Sequence, residues 1–231
     1  MMERKMIKVC GITTEKDMAV AASLGVDVIG LVFKPDDERY VRMMPSKSGI
    51  LPDFAPDGMK NGEAHEISLA GVFADDMPQN IITRVYNYNL DYVQLDGEES
   101  AVMIDNLRRT LEPDIRPGVK IIKTLHAADM RGDMWWRCYE GVADMLRFDP
   151  GELPAELPYG QTLMELINAY AGAIPFIIGG CKCEADMQEI LSLAHPMFAG
   201  IDLQCSLLSP ADVLGDGTKP GLAAQVRDAW R

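Results

Sequence analysis

Basic residues are scarce in this chain: 22 Lys and Arg stand against 35 Asp and Glu, a formal net charge of −13. Nucleic acids and anionic membrane surfaces are both bound through a positive footprint, so neither is an expected partner. A small anionic ligand stays open, because one or two local Arg or Lys side chains and helix N-termini suffice to hold it. Long apolar runs are also missing. No stretch nears the roughly 20 residues that span a bilayer. Residues 1–8 are charged and carry neither the apolar core nor the cleavage site of a signal peptide, so the expected location is the cytoplasm. Regular cysteine spacing is absent as well: Cys10, Cys138, Cys181, Cys183 and Cys205 form an odd, scattered set, not a disulfide framework. No repeat, low-complexity tract or linker divides the chain. Residues 1–231 read as one domain, and 48% hydrophobic residues suffice for one large core.

What is present is an alternation of short apolar runs with helix-like stretches. Strands are expected at 6–10, 27–33, 68–73, 92–95, 120–125, 144–148, 174–178 and 200–203, and helices at 14–24, 78–88, 98–109, 128–136, 162–171, 184–193 and 219–230. Strands apolar on both faces, each followed by a helix, imply a parallel sheet. Eight such units in a chain of this length imply a single (β/α)8 TIM barrel, with an open doubly wound sheet of six or seven strands as the runner-up. Residues 43–66 break the rhythm. With Pro45, Pro52, Pro56 and several glycines and acidic residues, they read as a loop-rich insertion in the second βα unit. A short helix is expected near 45–51 and a flexible tip around 57–63.

A parallel barrel places its chemistry at the C-terminal strand ends and in the loops that follow. Here those positions hold Cys10, the segment from Lys34 to Tyr40, Gln94 to Gly97, Lys123 with His126, Arg147 to Gly151, Gly179-Gly180, and Asp202 to Ser206. Cys10 and Asp149 across the mouth make a plausible acid–base pair: positive neighbours lower a thiol into service as a base, and partial burial raises a carboxyl into service as an acid. Arg39 would clamp an anion, and Gly179-Gly180 would let a phosphate approach backbone amides. Each also has a plainer role. Cys10 fits a small buried hydrophobe, Asp149 before Pro150 fits a turn start, and Arg39 fits a solvated loop charge. His126 fits a surface histidine at a helix start. Cys181 and Cys183 lack a second ligand cluster, so no metal is expected. Trp135-Trp136 should pack against the barrel or a partner subunit, and Asp216-Gly217-Thr218 should be a turn leading into a helix cap.

Taken in order, these motifs resemble the phosphoribosylanthranilate isomerase family of tryptophan biosynthesis. The resemblance rests on Lys8-Val9-Cys10-Gly11-Ile12-Thr13, Gly30-Leu31-Val32-Phe33 with Arg39-Tyr40-Val41, Gly71-Val72-Phe73, and Val93-Gln94-Leu95-Asp96-Gly97-Glu98-Glu99. Ile121-Ile122-Lys123, Phe148-Asp149 and Ile178-Gly179-Gly180 continue it. It implies an Amadori rearrangement of a phosphorylated sugar–anthranilate, N-(5-phosphoribosyl)anthranilate, without metal or organic cofactor. By the same resemblance Cys10 is the general base and Asp149 the general acid. Arg39 orients the anthranilate carboxylate, and Gln94, Gly179, Gly180 and Asp202 contact substrate. Such barrels are monomers or homodimers. The chain departs from the family pattern at three places. The glycine-rich phosphate stretch after the sixth barrel strand is replaced by residues 151–162, in which only Gly160 and Thr162 remain in about the right place. The eighth strand leads into Asp202-Leu203-Gln204-Cys205-Ser206-Leu207 without the family's glycine. Asp96 stands where the family has histidine. These departures keep two alternatives open: a related barrel isomerase for another sugar, and an inactive ligand-binding paralogue.

Overall fold

The strands of the barrel are short and mostly apolar, and most are buried on both faces as a parallel sheet under helices requires. The computed structural model describes residues 4–41, 43–46, 49–52, 67–127, 134–151, 159–208 and 222–230. The strands are β1 (Met6–Cys10), β2 (Val28–Val32), β3 (Met43–Ser46), β4 (Gly49–Pro52), β5 (Ser68–Phe73), β6 (Tyr92–Leu95), β7 (Lys120–His126), β8 (Met145–Asp149), β9 (Phe176–Ile178) and β10 (Phe198–Gln204). The helices are α1 (Glu15–Ser23), α2 (Pro78–Tyr88), α3 (Ala101–Leu111), α4 (Tyr159–Ala169), α5 (Glu184–Leu191) and α6 (Leu222–Trp230). Eight strands close a ring in the order β1-β10-β9-β8-β7-β6-β5-β2, all neighbours parallel. Pairing of the first with the last strand, from Met6 opposite Gly200 to Cys10 opposite Gln204, is what an open sheet lacks. The fold is a single (β/α)8 barrel.

Local chemistry sets the boundaries. The Thr14 hydroxyl caps α1 by accepting from the Asp17 amide at 3.1 Å, and Ser100 caps α3 in the same way. Pro78 opens α2, where its missing N–H costs nothing. Ile81, Val85 and Tyr88 then bury one stripe of that helix against the barrel. No helix among the described residues is long and apolar enough to cross a membrane.

The chain has only 7% aromatic residues, yet all three Trp fall in one ring cluster under β8, β9 and β10. Trp135 and Trp136 meet edge to face at 4.9 Å and both contact Tyr170, which packs on Phe148 and Phe176; Phe198 and Trp230 extend the cluster. The tryptophans therefore pack against the barrel.

Two expectations are corrected here. Where a helix was expected near 45–51, β3 and β4 form an antiparallel pair, with Met44 opposite Leu51 and Pro45 opposite Ile50. The segment holds two short apolar stretches split by serines and a glycine, a hairpin pattern, and a two-stranded ladder tolerates proline where a helix interior does not. The helix expected over 128–136 does not reach its end: residues 134–136 form a turn, and Arg137–Tyr139 a 3-10 helix. Adjacent residues on a helix point about 100° apart, so two consecutive indoles could not both reach Tyr170 from one. Residues 128–133, the tip at 57–63 and the turn at 216–218 lie outside the described residues.

Candidate active site

Side chains alternate along a strand, so Ile7 and Val9 of β1 face the helices while Lys8 and Cys10 face the barrel interior. A lysine inside an apolar strand must find a counter-charge, and Lys8, fully buried, donates to Asp202 Oδ1 of β10 at 2.7 Å. Cys10 ends β1 at the mouth. Opposite it on β2 lies Gly30, where a Cβ would come within 3.1 Å of both Cys10 Sγ and Lys8 Nζ. The bare glycine makes room for thiol and ammonium together. Burial pushes the Cys10 thiol above its ordinary value. Lys8 and Arg147 pull it back in part, while Asp202 and Asp96 add to the rise.

Two residues apart on β8, Arg147 and Asp149 also face inward. The Arg147 guanidinium joins two carboxylates: Nε donates to Asp202 Oδ2 at 2.6 Å, and Nη1 lies 2.6 Å from Asp149 Oδ2. Asp149 also accepts from the Gly151 amide at 2.8 Å and stands in register with His126 of β7. Burial acts to raise the Asp149 carboxyl, but Arg147, the Gly151 amide and His126 outweigh it and hold the group below the usual carboxylate range. Across the mouth, Asp96 accepts from Thr124 Oγ1 at 2.5 Å, Gln94 Nε2 at 2.8 Å and Lys34 Nζ at 3.3 Å. Its burial is overcome by Arg147, Lys34 and these donors, so it stays ionised far below the usual range.

Arg39 reaches the same rim. Its stem crosses Gly11, whose φ is +87° and where a Cβ would strike Arg39 Cδ at 2.6 Å, so that position requires glycine twice over. The guanidinium fork is filled by a carboxylate of its own loop: Nε donates to Asp37 Oδ1 at 2.8 Å and Nη2 to Oδ2 at 2.6 Å. Four cations of the rim, Lys8, Lys34, Arg39 and Arg147, are thus each ion-paired with one or more of four carboxylates, Asp37, Asp96, Asp149 and Asp202.

The barrel therefore gathers the residues picked out in the sequence at one end. Cys10 and Asp149 close strands that have two others, β10 and β9, between them on the ring, and the Lys8–Asp202–Arg147 chain of ion pairs ends on Asp149. Gly179 lies against the Arg147 guanidinium, and at Gly180 a Cβ would lie 3.0 Å from Asp149 Oδ1. Gln94 is buried and tied to Asp96; its Oε1 has no hydrogen-bond partner among the described residues. Both carboxylate oxygens of Asp202 are engaged within the protein. Residues 152–158, part of the segment that departs from the family's phosphate stretch, lie outside the described residues. Cys181 is buried and its thiol pushed up to about 12 by burial, whereas Cys183 is exposed at the start of α5. Among the described residues no three His, Cys, Asp or Glu side chains group as a metal site. Sequence reasoning missed the ionic scaffold beneath these residues. Its signal was present: Lys8 and Arg147 each stand two positions before a mouth residue, hence on the same strand face. A deeper pair, Lys123 and Glu99 at 3.1 Å, fastens the loop after β6, with Lys123 also donating to the Gly97 carbonyl at 2.5 Å.

No protein-family model matches the chain. Curated relatives do. It is 32% identical over 177 residues, 75% of each chain, to an N-(5'-phosphoribosyl)anthranilate isomerase of Zymomonas mobilis. It is 30% identical over 201 residues to the protein of that name from Trichormus variabilis, covering 85% of this chain and 86% of the other. The crystal structure of phosphoribosyl anthranilate isomerase from Thermus thermophilus superposes with a TM-score of 0.67 at 22% identity, covering 97% of this chain and 98% of that one. A second isomerase structure, in complex with reduced 1-(o-carboxyphenylamino)-1-deoxyribulose 5-phosphate, gives 0.60 at 16% identity with the same coverage. At these identities the structures speak for the barrel alone, while the sequence relatives carry the assignment further. The chain belongs to the phosphoribosylanthranilate isomerase family, a family of isomerases.

Proposed function

We propose that the protein isomerises N-(5-phosphoribosyl)anthranilate to the corresponding 1-deoxyribulose 5-phosphate aminoketose, with Cys10 as general base and Asp149 as general acid. Asp149 gives its proton to the furanose oxygen as the ring C–O bond breaks, leaving an iminium between nitrogen and C1. That cation acidifies C2, and the Cys10 thiolate removes the C2 proton to give the enolamine. Ketonisation then adds a proton at C1 and releases one from the C2 hydroxyl, so no net proton, electron or cofactor is consumed. One observation carries the reading: the two residues that the family motifs single out for proton transfer end their strands on the same barrel mouth, above an ionic scaffold in which Lys8, beneath Cys10, and Arg147, beside Asp149, share Asp202. To test it, substrate generated in situ is given to the purified protein and loss of its anthranilate fluorescence is followed. Turnover that disappears in Cys10→Ala is expected; well-folded protein without turnover would overturn the reading.

A second reading, a sibling isomerase for a less anionic sugar, is favoured by the Arg39–Asp37 fork, since a substrate carboxylate must displace Asp37 to reach Arg39. The variant Asp37→Asn separates the two. The pair is partly exposed, so its loss is worth no more than about 1 kcal/mol, or roughly five-fold in affinity. If the anthranilate carboxylate binds Arg39, KM should fall by up to about that factor with kcat little changed. An unchanged or higher KM would place the carboxylate elsewhere.

A further inference from the structure

The Arg147 guanidinium is wedged among three neighbours. Asp202 takes Nε and Asp149 takes Nη1, and the third neighbour is bare backbone: a Cβ built on Gly179 would lie 2.2 Å from Nη2 and 2.4 Å from Cζ. A guanidinium does not lose its proton at any working pH. Asp149 therefore faces a full positive charge at hydrogen-bond distance from its own strand, and its anion gains far more from that contact than its neutral form does.

We infer that Arg147 is a positioning residue that holds Asp149 in its ionised form, and that Asp149 takes up a proton as an anionic group of the substrate draws the guanidinium away. The second half rests on the proposed isomerisation, while the first stands without it. Other groups face Asp149 too: His126 from β7, the Gly151 amide, Gly180 after β9, Tyr159 from α4, and Asp202 of β10 behind the guanidinium. Tyr159 is turned to the Gly179 carbonyl, to which its hydroxyl donates at 2.8 Å. Asp202 acts through Arg147. Among these groups Arg147 alone brings a permanent cation into contact, so binding of a phosphate or carboxylate there would let the acid take up its proton at the moment it is needed. Substrate binding and proton uptake are then one event.

Gly179 offers a way to move Arg147 without removing it, since the alanine methyl would displace the guanidinium. The experiment is a carbon-13 NMR titration of the Asp149 carboxyl in the wild type, Arg147→Met, Arg147→Lys and Gly179→Ala, set beside the pH profile of kcat/KM. The midpoint should move to higher pH in Arg147→Met and Gly179→Ala, and less far in Arg147→Lys, which keeps the charge but loses the fork. The acid-side inflection of kcat/KM should move with it; a merely structural Arg147 would lower the rate without moving the inflection. An Asp149 midpoint that stays in place in the folded variants overturns the inference, and Arg147→Lys and Gly179→Ala keep it testable if Arg147→Met does not fold. A midpoint that moves while the kinetic inflection does not upholds the ion pair and overturns Asp149 as the acid.

Discussion

Cys10→Ala is expected to lower kcat by about 10³-fold or more with little change in thermal unfolding. A positioned general base contributes on the order of 10²–10⁴ in rate, and the thiol is the titratable side chain at the end of β1. The pH behaviour follows from which protonation state does the work. The proposed isomerisation needs Cys10 deprotonated and Asp149 protonated, the reverse of their order of titration. With ordinary values near 8.5 for a thiol and 3.9 for a carboxyl, only a few molecules in about 10⁵ hold that state. Burial of Cys10 and the Arg147 contact of Asp149 widen the gap. Between the two titrations the active fraction is constant, because each gain in thiolate is cancelled by a loss of carboxylic acid. It rises with pH below the Asp149 titration and falls above that of Cys10. Activity per enzyme should therefore be flat from about pH 4.5 to 8, with inflections displaced outward at both ends. A peak inside that window, or Cys10→Ala retaining a tenth of the activity, would remove Cys10 from the base role.

Asp202→Asn should be the most destabilising single change at the mouth. Asp202 is the carboxylate shared by Lys8, which has no exposed surface, and by Arg147, so the amide leaves two buried cations with one fewer negative charge between them. Breaking a buried ion pair from one side costs about 3–5 kcal/mol, which for a domain of this size lowers the unfolding midpoint by roughly 6–20 °C. Lys8→Met should cost less, because Asp202 keeps Arg147. It should also raise the Cys10 thiol further, since Lys8 is the largest influence pulling it down; slower alkylation of Cys10 at fixed pH reports this directly. Chemical denaturation of both variants checks the order. Asp202→Asn unfolding within about 1 kcal/mol of the wild type would mean that the scaffold contributes nothing to stability. A pH dependence of stability accompanies this. Asp37, Asp96 and Asp149 all titrate below their ordinary range in the folded chain, so their contributions are present above the unfolded carboxyl values and are lost as pH falls through the folded ones.

The barrel was legible because each strand had to be apolar on both faces, a period that differs from that of every helix between them. Strand ends could be read within a few residues, and with them Cys10, Asp149, Gly179 and Asp202, since a parallel barrel has one working end. Two kinds of information stayed hidden. In the β3–β4 pair, the prolines that suggested a helix start sit instead in two short stretches that pair antiparallel, and helix propensity read locally does not register such pairing. The partners of charged side chains are set by register across strands distant in sequence: Lys8 meets Asp202, 194 positions away. Strand alternation could have placed Lys8 beneath Cys10 and Arg147 beneath Asp149, but not told which carboxylate each would find. Arg39 is the clearest case. Its type and place suggested a free clamp, while its neighbour Asp37, two residues earlier, occupies the fork.

The matching of four cations to four carboxylates around the rim also bears on how fast a ligand arrives. Paired charges cancel a short distance away, so the mouth projects little attraction into solvent, while the chain as a whole carries −13. A multiply charged sugar phosphate approaching this protein meets a weak general repulsion instead of a guiding field. Its association rate should lie near the unsteered range of about 10⁵–10⁶ M⁻¹s⁻¹ and rise, not fall, as added salt screens the surface. On the proposed function, selection would follow contact, a ligand being retained where its own anions replace the carboxylates that pair Arg39 and Arg147.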